Sequence, residues 1–160
     1  MVVGSDDEVF FDAFDELILN LANGNYDSYD VVSFPVFMNS RILNPKKYMP
    51  ISFSVASLIT QHSVGTILRK CLHDKLGYYD VRYKILADSA FIKLSFLNGV
   101  NFFYDRSIIP GVFSFGGVST SKHLDRIFEA FHYNMQLGSV FVLQLIYLTF
   151  RLIKYRKFLK

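Results

Sequence analysis

Apolar residues recur at every third or fourth position in several stretches of the chain, a spacing that places them on one face of a helix. The stretches that predict helices are residues 8–22, 69–76, 87–97 and 119–136. Shorter apolar runs bounded by turn-forming residues predict strands, at residues 29–34, 63–68, 100–104 and 108–115. Residues 39–54 contain two X-Pro pairs and predict a long loop or an irregular hairpin.

The first and last of these helices each have one apolar face. Its members are Phe10, Phe14, Leu17, Ile18 and Leu21 in the first helix, and Leu124, Ile127, Phe128, Phe131 and Met135 in the last. Glu129 and its polar neighbours on the last helix are expected on the opposite, solvent-facing side. Asp6 or Asp7 is expected to cap the first helix, and Asn23-Gly24 is expected to end it.

The C-terminal tail has a different pattern, because residues 140–150 are almost all apolar. Residues 137–153 are 17 in number, which is the short limit of the roughly 17–25 needed to span a membrane. The basic and apolar end that follows is typical of a helix lying in a membrane surface. Three interpretations stay open: a helix docked on the domain's own core, an interfacial helix on an anionic membrane, and a true span. We expect a domain over residues 1–138 and a separate helix over residues 139–160.

The charges are unevenly distributed, although the net charge is only +3. Residues 5–16 hold six acidic residues and no basic one, whereas residues 151–160 hold five basic residues and no acidic one. We therefore expect the two ends to face different partners. The tail lacks the interleaved elements that read a nucleic-acid groove, so nucleic acid is not an expected partner.

The cysteine and histidine content excludes some classes of site. A single cysteine, Cys71, excludes an internal disulfide and a cysteine-based zinc cluster. No two histidines have the spacing of a metal-binding pair, so a zinc site is not expected. The N-terminus lacks the basic region and apolar run of a secretory signal. These features predict a cytoplasmic protein.

Asp6 and Asp7 follow a short apolar run and precede the first predicted helix. Two adjacent carboxylates on a loop can bind a hard divalent ion such as Mg²⁺ or Mn²⁺, which in turn holds phosphate oxygens. The simpler interpretation is that the pair caps the helix and interacts with its positive end.

Three further positions have both a chemical and a structural interpretation. Asp88 lies among apolar neighbours and is either a helix cap or a general base. His62 is either a hydrogen-bonded structural residue or part of a site. Gly116, Gly117 and Ser119 precede a predicted helix, where backbone N–H groups can bind an anion or the serine can simply cap a turn.

The order of these motifs is more specific than any one of them. Along the chain the acidic pair is followed by His62, by Gly77-Tyr-Tyr-Asp80, by Ala87-Asp88 and by Gly116-Gly-Val-Ser119. This order resembles the second half of a family 2 glycosyltransferase with the GT-A fold, over about residues 2–137. The resemblance implies an α/β fold: part of a GT-A (Rossmann-like) mixed sheet with flanking helices, here followed by a C-terminal amphipathic helix.

The resemblance also implies roles for the motif residues. Asp6 and Asp7 correspond to the motif that holds a Mg²⁺ or Mn²⁺ ion and the diphosphate of a nucleotide-sugar donor. Asp88 corresponds to the catalytic base, which deprotonates an acceptor hydroxyl for an inverting transfer. His62 corresponds to a histidine near the diphosphate, and Gly116, Gly117 and Ser119 correspond to the loop that closes the site.

The expected function is therefore sugar transfer to a saccharide or lipid-linked acceptor at the inner face of a membrane, as in polysaccharide biosynthesis. The family's opening β-α-β units, which hold the nucleotide base, have no counterpart in these 160 residues. We accordingly expect weak or no turnover from this chain by itself. A second hypothesis is a non-catalytic remnant or a membrane-peripheral interaction module using residues 137–160. A third hypothesis is a hydrolase that uses Ser119, His62 and Asp88. The sequence does not support it, because it lacks the Gly-x-Ser-x-Gly turn of such enzymes.

Overall fold

The computed structural model describes residues 7–45, 63–114, 122–137 and 140–156. Its fold is mixed α/β, with two mixed sheets and flanking helices, which confirms the predicted class. The strands are β1 (Glu8–Val9), β2 (Val31–Ser33), β3 (Val36–Met38), β4 (Arg41–Leu43), β5 (Thr66–Leu68), β6 (Phe102–Tyr104) and β7 (Gly111–Val112). The helices are α1 (Phe11–Ala22), α2 (Cys71–Leu76), α3 (Ala87–Leu97), α4 (His123–Gln136) and α5 (Phe141–Lys154).

The strands are divided between two sheets. The first has the order β1-β7-β3-β4, and the second has the order β5-β2-β6. In the second sheet β2 is antiparallel to β5 and parallel to β6, with Val32 opposite both Ile67 and Phe103. The chain crosses from one sheet to the other within two residues, because only Phe34 and Pro35 separate β2 from β3.

The core lies on both sides of β2, whose three residues are all buried. Val31 belongs to a cluster formed with α3 and α4, which includes Phe91 and Tyr133. Val32 belongs to a second cluster, formed with α1, which includes Leu17 and Phe34. Because successive side chains of a strand point to opposite faces, β2 separates the two clusters. A strand buried on both faces is expected to be largely apolar, and β2 has the Val31-Val32 pair followed by the small, buried Ser33.

The helix ends at glycines were predicted well, whereas the start of α1 was not. Gly77 and Gly99, with φ of +86° and +71°, follow α2 and α3 as expected. The first helix begins at Phe11, after a short strand, and its N-cap residue is Phe10. The predicted capping of this helix by Asp7 is wrong, because β1 lies between them; Asp6 is outside the described residues.

The predicted apolar faces are correct at their centres and wrong at their edges. Leu17 is buried, but Ile18 and Leu21 are each nearly half exposed. On α4 Ile127 is buried, whereas Phe128 is 49 % exposed. The buried face of α4 is rotated because it also includes Tyr133 and Asn134. The Tyr133 hydroxyl donates to the Ala90 carbonyl of α3 at 2.6 Å.

Two irregular regions have a local explanation. The region predicted as a long loop or an irregular hairpin, residues 39–54, begins with the turn of a hairpin whose first strand, β3, precedes it. Asn39 and Ser40, both with positive φ, join β3 to β4. Two such residues form the tight turn whose twist matches paired strands; residues 46–54 are outside the described part of the chain. The strand predicted over residues 108–115 is reduced to β7, because Pro110 has no N–H for a ladder.

The tail forms the predicted C-terminal helix, α5, which packs against α4. Among the described residues, no helix combines the length and the apolar character needed to cross a membrane. The contact of α5 with α4 is that of a docked helix, and the interfacial interpretation stays a prediction. The side of α5 that faces the domain is unexpected and is described below.

Gly111 is needed for the close pairing of β1 with β7. A Cβ at this position would lie 2.1 Å from the Glu8 carbonyl oxygen. We expect Gly111→Ala to lower the free energy of unfolding by about 2 kcal/mol, as overpacking does, and to speed hydrogen exchange at the Phe10 N–H, which bonds the Pro110 carbonyl at 2.9 Å.

Gly99→Ala is the control for Gly111→Ala. A Cβ at Gly99 meets no atom within 4 Å, and only its φ of +71° is unfavourable. This variant should lower stability by about 1 kcal/mol and leave the Phe10 exchange rate relative to global unfolding unchanged. Equal protection of the Phe10 N–H in both variants would contradict the proposed clash.

Candidate functional site

The start of α3 is held by a carboxylate from another helix. Glu129 of α4 accepts hydrogen bonds from three successive backbone N–H groups, those of Lys84, Ile85 and Leu86, at 2.9, 3.0 and 3.0 Å. The N-cap residue, Leu86, has no side chain that could do this. A carboxylate at this point also interacts favourably with the positive end of the helix. Glu129 therefore fixes α3 relative to α4.

Asp88 is the second residue of α3 and is half-buried. Its Oδ1 accepts the Ser89 N–H at 2.6 Å. Burial raises the pKa of the carboxyl above its ordinary value of 3.8, because desolvation disfavours the charged form and outweighs that bond. Of the two interpretations from sequence, the N-cap is wrong as to position, since Leu86 is the N-cap residue, and the general base stays a prediction.

An aromatic cluster lies next to Asp88. The pKa of the Tyr79 hydroxyl is raised, first by burial and second by the negative charge of Asp88. The Tyr79 ring lies edge-on to Phe91 at 5.2 Å and to His73 at 5.0 Å. Asp88, in the first turn of α3, is thus close enough to the buried Tyr79 hydroxyl for its charge to act on it.

Asp7 lies in another part of the fold, ahead of β1 in the first sheet. Its Oδ1 accepts the Ser114 N–H at 3.3 Å. Ser114 follows β7 and is two residues before Gly116. Pairing of β1 with β7 therefore brings Asp7 next to the segment that leads into the predicted Gly116–Ser119 loop. The hydrogen bond joins two residues, Asp7 and Ser114, that are 107 positions apart in the sequence.

Asp6, His62, Gly116, Gly117 and Ser119 lie outside the described residues. In the described ranges no three His, Cys, Asp or Glu side chains converge as metal ligands. Asp7 is the described member of the proposed metal pair and contributes a carboxylate, the donor that Mg²⁺ and Mn²⁺ prefer. A metal at this position remains a prediction.

A buried polar chain under α5 was missed by the sequence reasoning. The Lys93 ammonium of α3 donates to Asn134 Oδ1 of α4, and Asn134 Nδ2 donates to Gln144 Oε1 of α5 at 3.2 Å. All three side chains are buried. Burial lowers the pKa of Lys93 to about 8. Lysine in an otherwise apolar helix pattern was the available signal, because a buried lysine needs a polar partner.

The lowered pKa of Lys93 predicts a pH dependence of stability. The folded state releases the Lys93 proton near pH 8, whereas the unfolded chain retains it to 10.5. The unfolded state therefore binds more protons in between, and this group makes the free energy of unfolding rise with pH from about 8 upward. In urea titrations between pH 7 and 9.5, Lys93→Met should lose that rise. The exposed Lys84→Met should keep it, and equal slopes in wild type and Lys93→Met would contradict the assignment.

The raised pKa of Asp88 predicts the opposite dependence. The folded state binds the proton more tightly than the unfolded chain, so this group favours folding fully below pH 3.8 and loses that contribution as pH rises through its raised folded pKa. Asp88→Asn should therefore be more stable than wild type at pH 7, and the gain should shrink near pH 4. Asp74→Asn, at an exposed position of α2, should show no such trend. A variant destabilised at pH 7 more than at pH 4 would refute this.

Comparisons of the chain with protein-family models, with curated proteins and with solved structures found no match. The geometry of the described residues and the sequence resemblance are therefore the basis for a functional proposal.

Proposed function

We propose that this chain carries the acceptor-activating and metal-binding parts of a glycosyl-transfer site of the family 2, GT-A type. This proposal depends on the environment of the Asp88 carboxylate. Its carboxylate is half-buried and has a raised pKa, while Glu129 already holds the preceding N–H groups at the start of α3. A raised carboxyl pKa brings the proton affinity of a base closer to the working pH.

In the proposed reaction, Asp88 accepts the proton of an acceptor hydroxyl. The acceptor oxygen attacks the anomeric carbon of the donor sugar, and a new C–O bond forms with inversion. The bond from that carbon to the diphosphate breaks, and the nucleoside diphosphate leaves with its electron pair. A Mg²⁺ or Mn²⁺ ion at Asp6 and Asp7 would neutralise the leaving diphosphate. Support for the last role comes from the closeness of Asp7 to the segment before Gly116.

The test is Mn²⁺-dependent binding of UDP and GDP by the full chain, together with release of nucleoside diphosphate from UDP- and GDP-sugars. We expect measurable binding, and release far slower than the 1–10³ s⁻¹ that is typical of enzymes. Asp7→Asn should weaken Mn²⁺-dependent binding, because it removes a ligand charge. Asp88→Asn should keep that binding and reduce release by about 100-fold, the usual contribution of a general base.

Asp15→Asn, at an exposed position of α1, is the matched control and should leave binding and release unchanged. Absence of Mn²⁺-dependent nucleotide binding in the wild type would refute the proposal. So would equal release by wild type and Asp88→Asn.

The second candidate function is a non-catalytic module at a membrane surface. It is favoured by one observation, the large exposed apolar area of α5. Vesicle binding without any Mn²⁺-dependent nucleotide binding would support this candidate in place of glycosyl transfer.

A further inference from the structure

The side of α5 that faces the domain is partly polar. Gln144 and Arg151 are its two buried residues, and they are separated by seven positions, which places both on one side of the helix. Gln144 accepts from Asn134 as described, and the Arg151 guanidinium lies 5.6 Å from the centre of the Tyr147 ring. These inward residues line a crevice against α4 with Ile127 and Ala130.

The opposite side of α5 is apolar and exposed. We define the outer face of α5 as Val142, Leu145, Ile146, Phe150 and Ile153. Four of its five side chains are 60–62 % exposed, and Leu145 is 39 % exposed. The helix is therefore reversed relative to an ordinary surface helix, which buries its apolar stripe and exposes its polar one. Contiguous exposed apolar surface of this kind marks an interaction site.

The polar bonds of the inward side keep α5 in this orientation. Rotating the helix to bury the outer face would break the bond from Asn134 Nδ2 to Gln144, while Asn134 would remain buried. Removing a hydrogen-bond partner from a buried polar group is costly. Thr149 lies on the same side of α5 as the outer face, and its hydroxyl donates to the Leu145 carbonyl at 2.9 Å. This hydroxyl is therefore hydrogen-bonded within the helix.

The charges that α5 and the residues after it carry are all positive. Lys154 and Arg156 lie exposed at the end of α5, and residues 137–160 contain no acidic residue. A second copy of the chain packed through the same face offers no acidic residue of this segment to pair with these charges. An anionic lipid surface offers the complementary charge, with each basic residue near it contributing about 1 kcal/mol.

The length of α5 determines how it meets the membrane. Its 14 residues extend about 21 Å at 1.5 Å per residue, which is less than the roughly 30 Å hydrocarbon core of a bilayer. A helix with an apolar side, a polar side and a basic end lies in the interface plane. Here the polar side is occupied by the protein's own domain.

We propose that α5 binds flat on an anionic membrane, with its outer face inserted among the acyl chains and its inward side holding the domain. Lys154 and Arg156 contact the lipid headgroups. The inference does not depend on glycosyl transfer, because neither Asp7 nor Asp88 takes part in it.

The experiment is flotation of the full chain with vesicles of phosphatidylcholine alone or of equal parts phosphatidylcholine and phosphatidylglycerol. We expect stronger binding to the anionic vesicles and weaker binding as salt is raised. The double variant Ile146→Ser/Phe150→Ser should reduce binding by about tenfold or more, since apolar burial drives insertion. Lys154→Gln/Arg156→Gln should reduce binding to anionic vesicles about 25-fold, or about fivefold for each charge.

The matched control is Ile18→Ser/Leu19→Ser on α1, which removes two exposed apolar side chains, 49 % and 60 % exposed, from a helix with an acidic surface. This variant should bind vesicles like the wild type. Circular dichroism melting is expected to be unchanged for the α5 variants, and Val142→Ser/Ile153→Ser replaces the first pair if that pair unfolds.

Three outcomes would overturn the inference. The first is equal loss of binding in the α1 and α5 variants, and the second is equal binding to both vesicle types. The third is a self-associated wild type, detected by light scattering, that Ile146→Ser/Phe150→Ser converts to monomer in the absence of any vesicle binding. That third result would assign the outer face to a second copy of the chain.

Discussion

The fold depends on the burial of β2 from both sides. Val31 packs with α3 and α4, Val32 packs with α1, and the strand pairs with β5 and β6 through its two edges. Of the three residues of β2, only the small Ser33 is polar. Helices on opposite sides of β2 thus pack against one strand in common.

Hydrogen bonds between polar side chains and neighbouring helices connect α3, α4 and α5 to one another. Glu129 connects α4 to the start of α3, where Asp88 lies, and the chain Lys93–Asn134–Gln144 connects α3 and α4 to α5. Such bonds are specific in direction as well as in distance, so each fixes a rotation that apolar packing alone leaves adjustable. The helix that carries the candidate base and the helix that presents the outer face are therefore parts of one connected unit.

The sequence predicted what depends on local pattern. The interiors of α1 and α3, the ends of α2 and α3 at Gly77 and Gly99, and the alternation of helices with strands follow from period and turn chemistry. The start of α3 could not be predicted, since its cap comes from Glu129, 43 residues beyond Leu86. For the candidate site, the sequence identified Asp7 and Asp88 as residues of interest. Their environments, Ser114 for one and Tyr79 for the other, depend on strand pairing and helix packing that no local pattern specifies.

The orientation of α5 is a further feature that local sequence pattern does not predict, and this orientation bears on function. Hydrophobic periodicity assigns the apolar side of a helix to the interior, and for α5 that assignment is reversed because Asn134 offers Gln144 a buried partner. A helix held in this way cannot bury its apolar side against the domain, so that side is available to contact an apolar surface outside it. If α5 lies on a membrane, the connected unit of α3, α4 and α5 also fixes the orientation of Asp88 relative to that surface. If Asp88 is also the base proposed above, its constant orientation to the bilayer suits an acceptor that is itself attached to lipid.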